Sequence, residues 1–229
     1  MREEEGEPLS SRIDLGGINS NMVGLYEEFE EIKDYLLPEG VEDEGEEEGE
    51  GSCLLVTGIA GVGKTTLVKK VFEDPLIQRH FELRAWVKVD RKCESNQTVR
   101  CILAQVDPNN RDQMLIQRDD DDIKKLVGLL EERLKDKKCL IVLDDVWQWD
   151  TRLMSTLQEK NVQILLTCRL RIEDSPNIHV VRLLNKEESK KLLCEKVFGE
   201  KGFPTYLEEL GEKIAAKCEG HPLMSRASI

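Results

Sequence analysis

Histidine is scarce in this chain, three in 229 residues, and the seven cysteines contain no Cys-x-x-Cys pair. They stand singly at Cys53, Cys93, Cys101, Cys139, Cys168, Cys194 and Cys218. An odd number with no ligand spacing speaks against both a disulfide framework and a zinc site. Basic residues are outnumbered, 33 Lys and Arg against 46 Asp and Glu, for a net charge of −13. Non-specific nucleic-acid binding, which needs a basic face, is therefore not expected. No apolar run approaches the length of about 20 residues that a membrane span needs. The opening Met1-Arg2-Glu3-Glu4-Glu5 has no apolar core of a secretory signal. These absences predict a reducing, cytoplasmic compartment. There is no internal repeat.

What the chain does have is Gly58-Ile59-Ala60-Gly61-Val62-Gly63-Lys64-Thr65, the full phosphate-loop pattern. It follows the apolar run 53–57 and precedes a helix-like stretch that starts at Thr66, so it stands between strand and helix. Tight glycine turns expose backbone N–H groups, and with the positive end of the helix dipole they form a cradle for phosphate. Gly58, Ala60, Gly61, Val62, Gly63 and Thr66 are the expected backbone contacts. Lys64 is placed to reach the terminal phosphates, and the Thr65 hydroxyl to ligate Mg2+.

The rest of the chain alternates. Apolar runs at 53–57, 84–89, 139–143, 162–166 and 178–181 read as strands. Helical spacing appears at 26–37, 66–72, 97–106 and 123–134, and 107–119 reads as a long loop. Short continuous apolar runs such as Cys139-Leu140-Ile141-Val142-Leu143 suit parallel strands buried on both faces. The predicted fold is α/β: a P-loop NTPase, three-layer αβα, with a mainly parallel five-stranded sheet, followed by a partial helical subdomain. Residues 1–21 read as a loose lead-in and 22–183 as the nucleotide-binding domain. Residues 39–51 are an acidic surface loop, and 184–229 the helical subdomain, with helices at 186–198 and 205–218.

Asp144-Asp145 follows directly on the run 139–143. Ligands of open α/β sheets lie at the carboxyl ends of the strands, so these acids face the phosphate loop. Asp144 is the natural Mg2+ partner, since a hard dication favours carboxylate oxygen. Asp145 is either a general base that polarises water or a strand-end acid that caps the next helix. Arg169, closing the next strand, is either a sensor of the γ-phosphate or a surface arginine paired with Glu173 or Asp174.

These motifs carry a resemblance. Gly58–Thr66, His80-Phe81 through Val89, Cys139–Trp147, Ile164–Arg169 and Cys218-Glu219-Gly220-His221-Pro222-Leu223 occur in the order of one family. It is the NB-ARC domain of plant coiled-coil-type nucleotide-binding, leucine-rich-repeat disease-resistance proteins, and the resemblance runs from about Met22 to Leu223. It implies that Val23 and Gly24 approach the adenine through backbone groups. It likewise implies that Pro222 packs on the adenine from the helical subdomain. The implied ligands are ADP or ATP with Mg2+, and the implied partners are other receptor domains or like receptors, which oligomerise in the ATP state.

Two positions depart from the family pattern: His221 stands for the usual Leu, and Met224 for Ala. The resemblance also implies a truncation within the first helical subdomain, since nothing here matches the winged-helix segment, the repeats or the coiled coil. The function expected is an ADP/ATP-binding switch module of a plant immune receptor, with slow or no hydrolysis. The alternatives are an interaction-only remnant of such a receptor and a turnover P-loop ATPase or kinase.

Overall fold

The computed structural model describes residues 8–16, 22–37, 52–89, 91, 93–116, 123–148, 151–157, 161–169, 177–199 and 202–222. The acidic tract 42–50, Glu173, Asp174 and everything from Leu223 onward lie outside the described residues.

Five strands form one sheet: β1 (Ser52–Thr57), β2 (Leu83–Lys88), β3 (Cys139–Val146), β4 (Val162–Cys168) and β5 (Asn177–Val180). Their spatial order is β2-β3-β4-β1-β5, and every recorded pairing is parallel. Side chains alternate between two cores, as the two-residue period of a strand requires. Cys53, Leu55, Ile141, Leu143, Ile164 and Leu166 point into one. Leu54, Val56, Leu140, Val142 and Leu165 point into the other. A sheet covered on both faces explains why these strands read as unbroken apolar runs. Burial pushes the thiols of Cys53 and Cys101 up to about 12 and that of Cys139 to about 11, so they pack as small apolar groups.

The helices are α1 (Leu9–Arg12), α2 (Tyr26–Leu36), α3 (Lys64–Phe72), α4 (Pro75–His80), α5 (Ser95–Val106), α6 (Arg111–Leu115), α7 (Ile123–Leu134), α8 (Thr151–Leu157), α9 (Lys186–Phe198) and α10 (Glu208–Lys217). α7 and α9 coincide with the helices expected from the sequence. The second strand begins one residue early and the third runs three residues further than the apolar run, through Asp144 and Asp145 to Val146. The β3–β4 register shifts between Leu143 and Val146, an irregularity at the strand end that re-aims side chains.

Two expectations change. Residues 8–16 do not form a loose lead-in: Leu9 is 1% exposed in the core, Arg12 is buried, and the Lys69 ammonium donates to the Leu15 carbonyl at 2.8 Å. The long loop 107–119 contains a 3-10 turn, Pro108–Asn110, and α6. The buried Arg100 guanidinium donates to the carbonyls of Gln113, Met114 and Ile116, satisfying acceptors that end that short helix.

Gln105 protects the edge strand. Its side chain accepts from the Trp86 N–H at 3.0 Å and donates to the Trp86 carbonyl at 2.9 Å, closing backbone groups that an edge leaves open.

Candidate functional site

β1 leads into a loop with three glycines at positive φ: Gly58 at 150°, Gly61 at 78° and Gly63 at 107°. At Gly63, which caps α3, a side chain would be strained by the left-handed backbone. A Cβ at Gly58 would lie 3.1 Å from the Val181 carbonyl, a tight approach that a larger residue makes only if that segment shifts. Lys64 opens α3 and folds back over the loop, its ammonium donating to the carbonyls of Gly58 at 2.6 Å and Ile59 at 3.0 Å. It is 8% exposed, and burial lowers its pKa, with Arg169 pushing the same way and Cys168, Asp145 and Asp144 pushing back.

Asp144 is 3% exposed at the end of β3. Its Oδ1 accepts from the Thr65 hydroxyl at 2.8 Å and from the Thr167 hydroxyl at 2.6 Å. Burial raises its pKa, and the two hydroxyl bonds oppose that rise. The Thr167 oxygen also accepts the N–H of Asp145 at 2.9 Å, so one threonine on β4 holds both acids in place.

Asp145 has a left-handed backbone, φ 58°, at the irregular end of β3. Its carboxylate is engaged on both oxygens. Arg169 Nε reaches Oδ1 at 3.2 Å, and Trp147 Nε1 donates to Oδ2 at 3.3 Å. The Trp147 ring carries the Arg169 guanidinium at 4.7 Å and that of Arg91 at 3.8 Å, a pair of cation–π contacts. Arg169 is thus ion-paired to Asp145, while Glu173 and Asp174 lie outside the described residues.

These groups line one cavity of about 670 Å³ at the carboxyl ends of the strands. Of the residues expected at the site, Val23, Ala60, Gly61, Val62, Gly63, Lys64, Thr65, Thr66, Asp144, Asp145, Arg169 and Pro222 line it. Gly24 and Gly58 do not, but both shape its walls: Gly24, at φ 71°, is pressed against Glu188. One end of the cavity is polar and charged. Apolar lining comes from Val23, Leu25, Leu184, Leu192 and Pro222, with Lys196 one turn beyond Leu192 on α9. Pro222 is held there by the turn at Gly220, whose carbonyl accepts the Leu184 N–H at 3.0 Å.

The sequence reading missed several lining residues. Leu184 precedes α9 and Leu192 lies on it, and neither stands out in a helix whose apolar residues show little periodicity. Ser11, Asp14, Lys88 and Lys196 carried no signal that set them apart from solvent-facing residues, and Trp86 read only as part of a strand. Among the described residues no group of three or more His, Cys, Asp and Glu could hold a metal ion. No helix among them is long and apolar enough to cross a membrane.

A parallel sheet ordered β2-β3-β4-β1-β5, a glycine loop after β1 and an acid pair ending β3 define a P-loop nucleotide-binding domain. Solved structures agree on the fold. The chain resembles Drosophila ORC bound to DNA, with TM-score 0.62 and 15% identity over 98% of this chain and 62% of that one. It also resembles the Aeropyrum pernix ORC2 protein (ADPNP-ADP complexes), with TM-score 0.63 and 15% identity over 94% of this chain and 63% of that one. The NB-ARC domain family matches residues 30–202, and the chain belongs to that family. It is similar to two Arabidopsis thaliana proteins, disease resistance protein RPP8 and disease resistance protein RPH8A. Each is 30% identical over 91% of this chain and 23% of its own length. The chain therefore spans about a quarter of the length of the curated relatives it matches.

Proposed function

We propose that this chain is the nucleotide-binding switch module of a plant disease-resistance receptor, taking ADP or ATP with Mg2+ and hydrolysing slowly if at all. The observation that carries this reading is the state of Lys64. Its ammonium is nearly desolvated and rests on two neutral loop carbonyls. An ammonium taken out of water gains most from a charged acceptor, and exchanging those carbonyls for phosphate oxygens supplies one. The N–H groups of the loop and the start of α3 add their dipoles at the same place.

Mg2+ fits the donors present. Thr65 Oγ1 and Asp144 Oδ1 are hard oxygens 2.8 Å apart, the donor type a hard dication favours, and these two residues would hold it. When bound, the ion would neutralise phosphate charge. Asp144 would then exchange an uncomfortable buried charge for a dication, with Thr167 keeping its carboxylate oriented.

The apolar end suits a base. Val23, Leu25 and Pro222 would face its two sides while the loop holds the phosphates.

Asp145 supports the slow-hydrolysis half of the reading. Arg169 and Trp147 already hold one donor on each of its oxygens, so a water would have to share that carboxylate with an ion pair rather than meet a free base. Arg169 lines the same cavity, and a third phosphate would compete with Asp145 for its guanidinium. The number of phosphates would thus decide which anion holds Arg169, and that choice is the switch.

The test is calorimetric titration of the chain with ADP and with ATP in Mg2+, beside Lys64→Ala. Binding by the parent and none by the variant is expected. Turnover should fall far below the about 1–100 per second of kinases. Equal affinity in the variant, or no heat from the parent, would overturn the reading.

A further inference from the structure

Arg182, which follows β5, makes contacts that no phosphate chemistry requires. Its NH1 and NH2 reach the two oxygens of Glu188 at 2.7 and 2.9 Å, a fork on a carboxylate, and its Nε reaches Glu28 Oε1 at 2.9 Å. Glu28 is on α2, 7% exposed, and its other oxygen is buried without a hydrogen bond from a described residue. Glu188 is on the first turn of α9, where its Oε2 also accepts the Asn185 N–H at 2.8 Å as part of a capping box. A backbone hydrogen bond from Leu25 reaches the same carboxyl group.

The carboxyl group of Glu188 therefore sits beneath the loop 23–25. A Cβ on Gly24 would lie 2.7 Å from Glu188 Cδ, so loop and carboxylate are in direct contact. That loop is also in an uncommon conformation, with left-handed φ at Gly24, 71°, and at Leu25, 57°. A branched, non-glycine residue such as Leu25 adopts it at a cost of about 1–2 kcal/mol, so something must hold it there. Val23 and Leu25 of that loop line the cavity, as do Leu184 and Leu192, beside and on α9. Glu188 and Arg182 bridge the elements that carry these two pairs.

We propose that Glu188 and Arg182 are positioning residues for base recognition: their ion pair, anchored on Glu28, sets the gap between the 23–25 loop and α9. The inference rests on the nucleotide reading above and deepens it. A capping box alone needs one carboxylate oxygen on the Asn185 N–H. The fork to Arg182 and the bond from Leu25 go beyond that need, and they point toward the cavity wall.

The test separates the two ends of the ligand. The chain is titrated in Mg2+ with ADP, which spans the cavity, and with inorganic pyrophosphate, which fills only the phosphate end. Glu188→Gln keeps an amide oxygen for the cap, since Gln serves at that helical position, but turns N–H groups toward Arg182. ADP affinity should fall about tenfold, about 1.4 kcal/mol, with pyrophosphate affinity unchanged within about twofold. Arg182→Lys, which keeps the charge and loses the fork, should show the same split to a smaller degree. Thermal melts establish that each variant is folded. Folded variants that bind ADP as the parent does would overturn the inference, and so would an equal loss for both ligands. A parent that binds neither ligand would fell the nucleotide reading itself, which is a different result.

Discussion

At the phosphate-loop end of the cavity, burial moves Lys64 and Asp144 away from their charged forms. At the opposite end the shifts run the other way: Glu188 is held below the ordinary carboxylate range by Arg182, and Arg182 is pushed upward by Glu188. One end is destabilised by the charges it keeps; the other is stabilised by them. The difference teaches where ligand and where fold are served. On the proposed function, Lys64 and Asp144 are charges kept for phosphate and Mg2+, and such charges lower the stability of the protein alone. Charges already paired hold walls in place.

The largest expected effect breaks the first half of that comparison. Lys64→Ala should weaken ADP binding at least about 100-fold, equivalent to about 2.7 kcal/mol. Stability without ligand should stay within about 1 kcal/mol of the parent, because a desolvated charge leaves with the two carbonyl bonds. Titration and urea unfolding measure the two quantities.

The next effect concerns the wall that carries Pro222. Gly220 has φ 80°, and a Cβ there would lie 2.3 Å from the Leu184 carbonyl. Gly220→Ala should cost about 2 kcal/mol from backbone strain and the collision together. The loss should appear in the thermal midpoint and in ADP affinity, but less in pyrophosphate affinity.

Asp144→Asn sharpens the contrast through its sign. The folded pKa of Asp144 is raised, so its contribution to stability is present below the unfolded pKa and lost as pH rises through the folded value. The Asn variant should therefore unfold at higher urea than the parent at neutral pH, by about 1 kcal/mol. That advantage should vanish on acidification below the ordinary Asp value of about 3.9. The same variant should lose the Mg2+-dependent part of its nucleotide affinity.

The smallest effect has the opposite sign. Glu188 is lowered, so its stabilisation is present above the unfolded pKa and lost as pH falls through the folded value. Glu188→Gln should cost about 1 kcal/mol at neutral pH, a small figure because Arg182 is 39% exposed and screened by solvent. The gap to the parent should close in acid.

How much of this could be read in the residues differs between the same two ends. The phosphate end lies within continuous motifs: Gly58–Thr65 and Leu143-Asp144-Asp145 announce a loop and a strand end, and a parallel sheet brings such ends together. The apolar lining does not. Leu25, Leu184 and Leu192 are ordinary leucines in sequence, and Arg182 and Glu188 look like surface charges until α2, β5 and α9 are packed together. Arg169 shows the same limit. Among the described residues its guanidinium meets Asp145, 24 residues away in sequence, a contact that only the adjacency of β3 and β4 creates. Short elements were also hidden. α1 spans four residues, too few for any period to show, and Leu9 with the buried Arg12 holds it in place. α4 was missed as well, although Asp74 before Pro75 is a capping signal and the Asp74 side chain accepts from the Leu76 N–H at 2.8 Å.

The most direct test is a pair of thermal melts, parent and Lys64→Ala, each with and without Mg2+ and ADP. Ligand should raise the midpoint of the parent alone, and the two proteins should melt within a few degrees of each other in its absence. A ligand-induced rise of equal size in both, or a variant that unfolds far below the parent without ligand, would contradict the view of Lys64 as a charge kept for a phosphate.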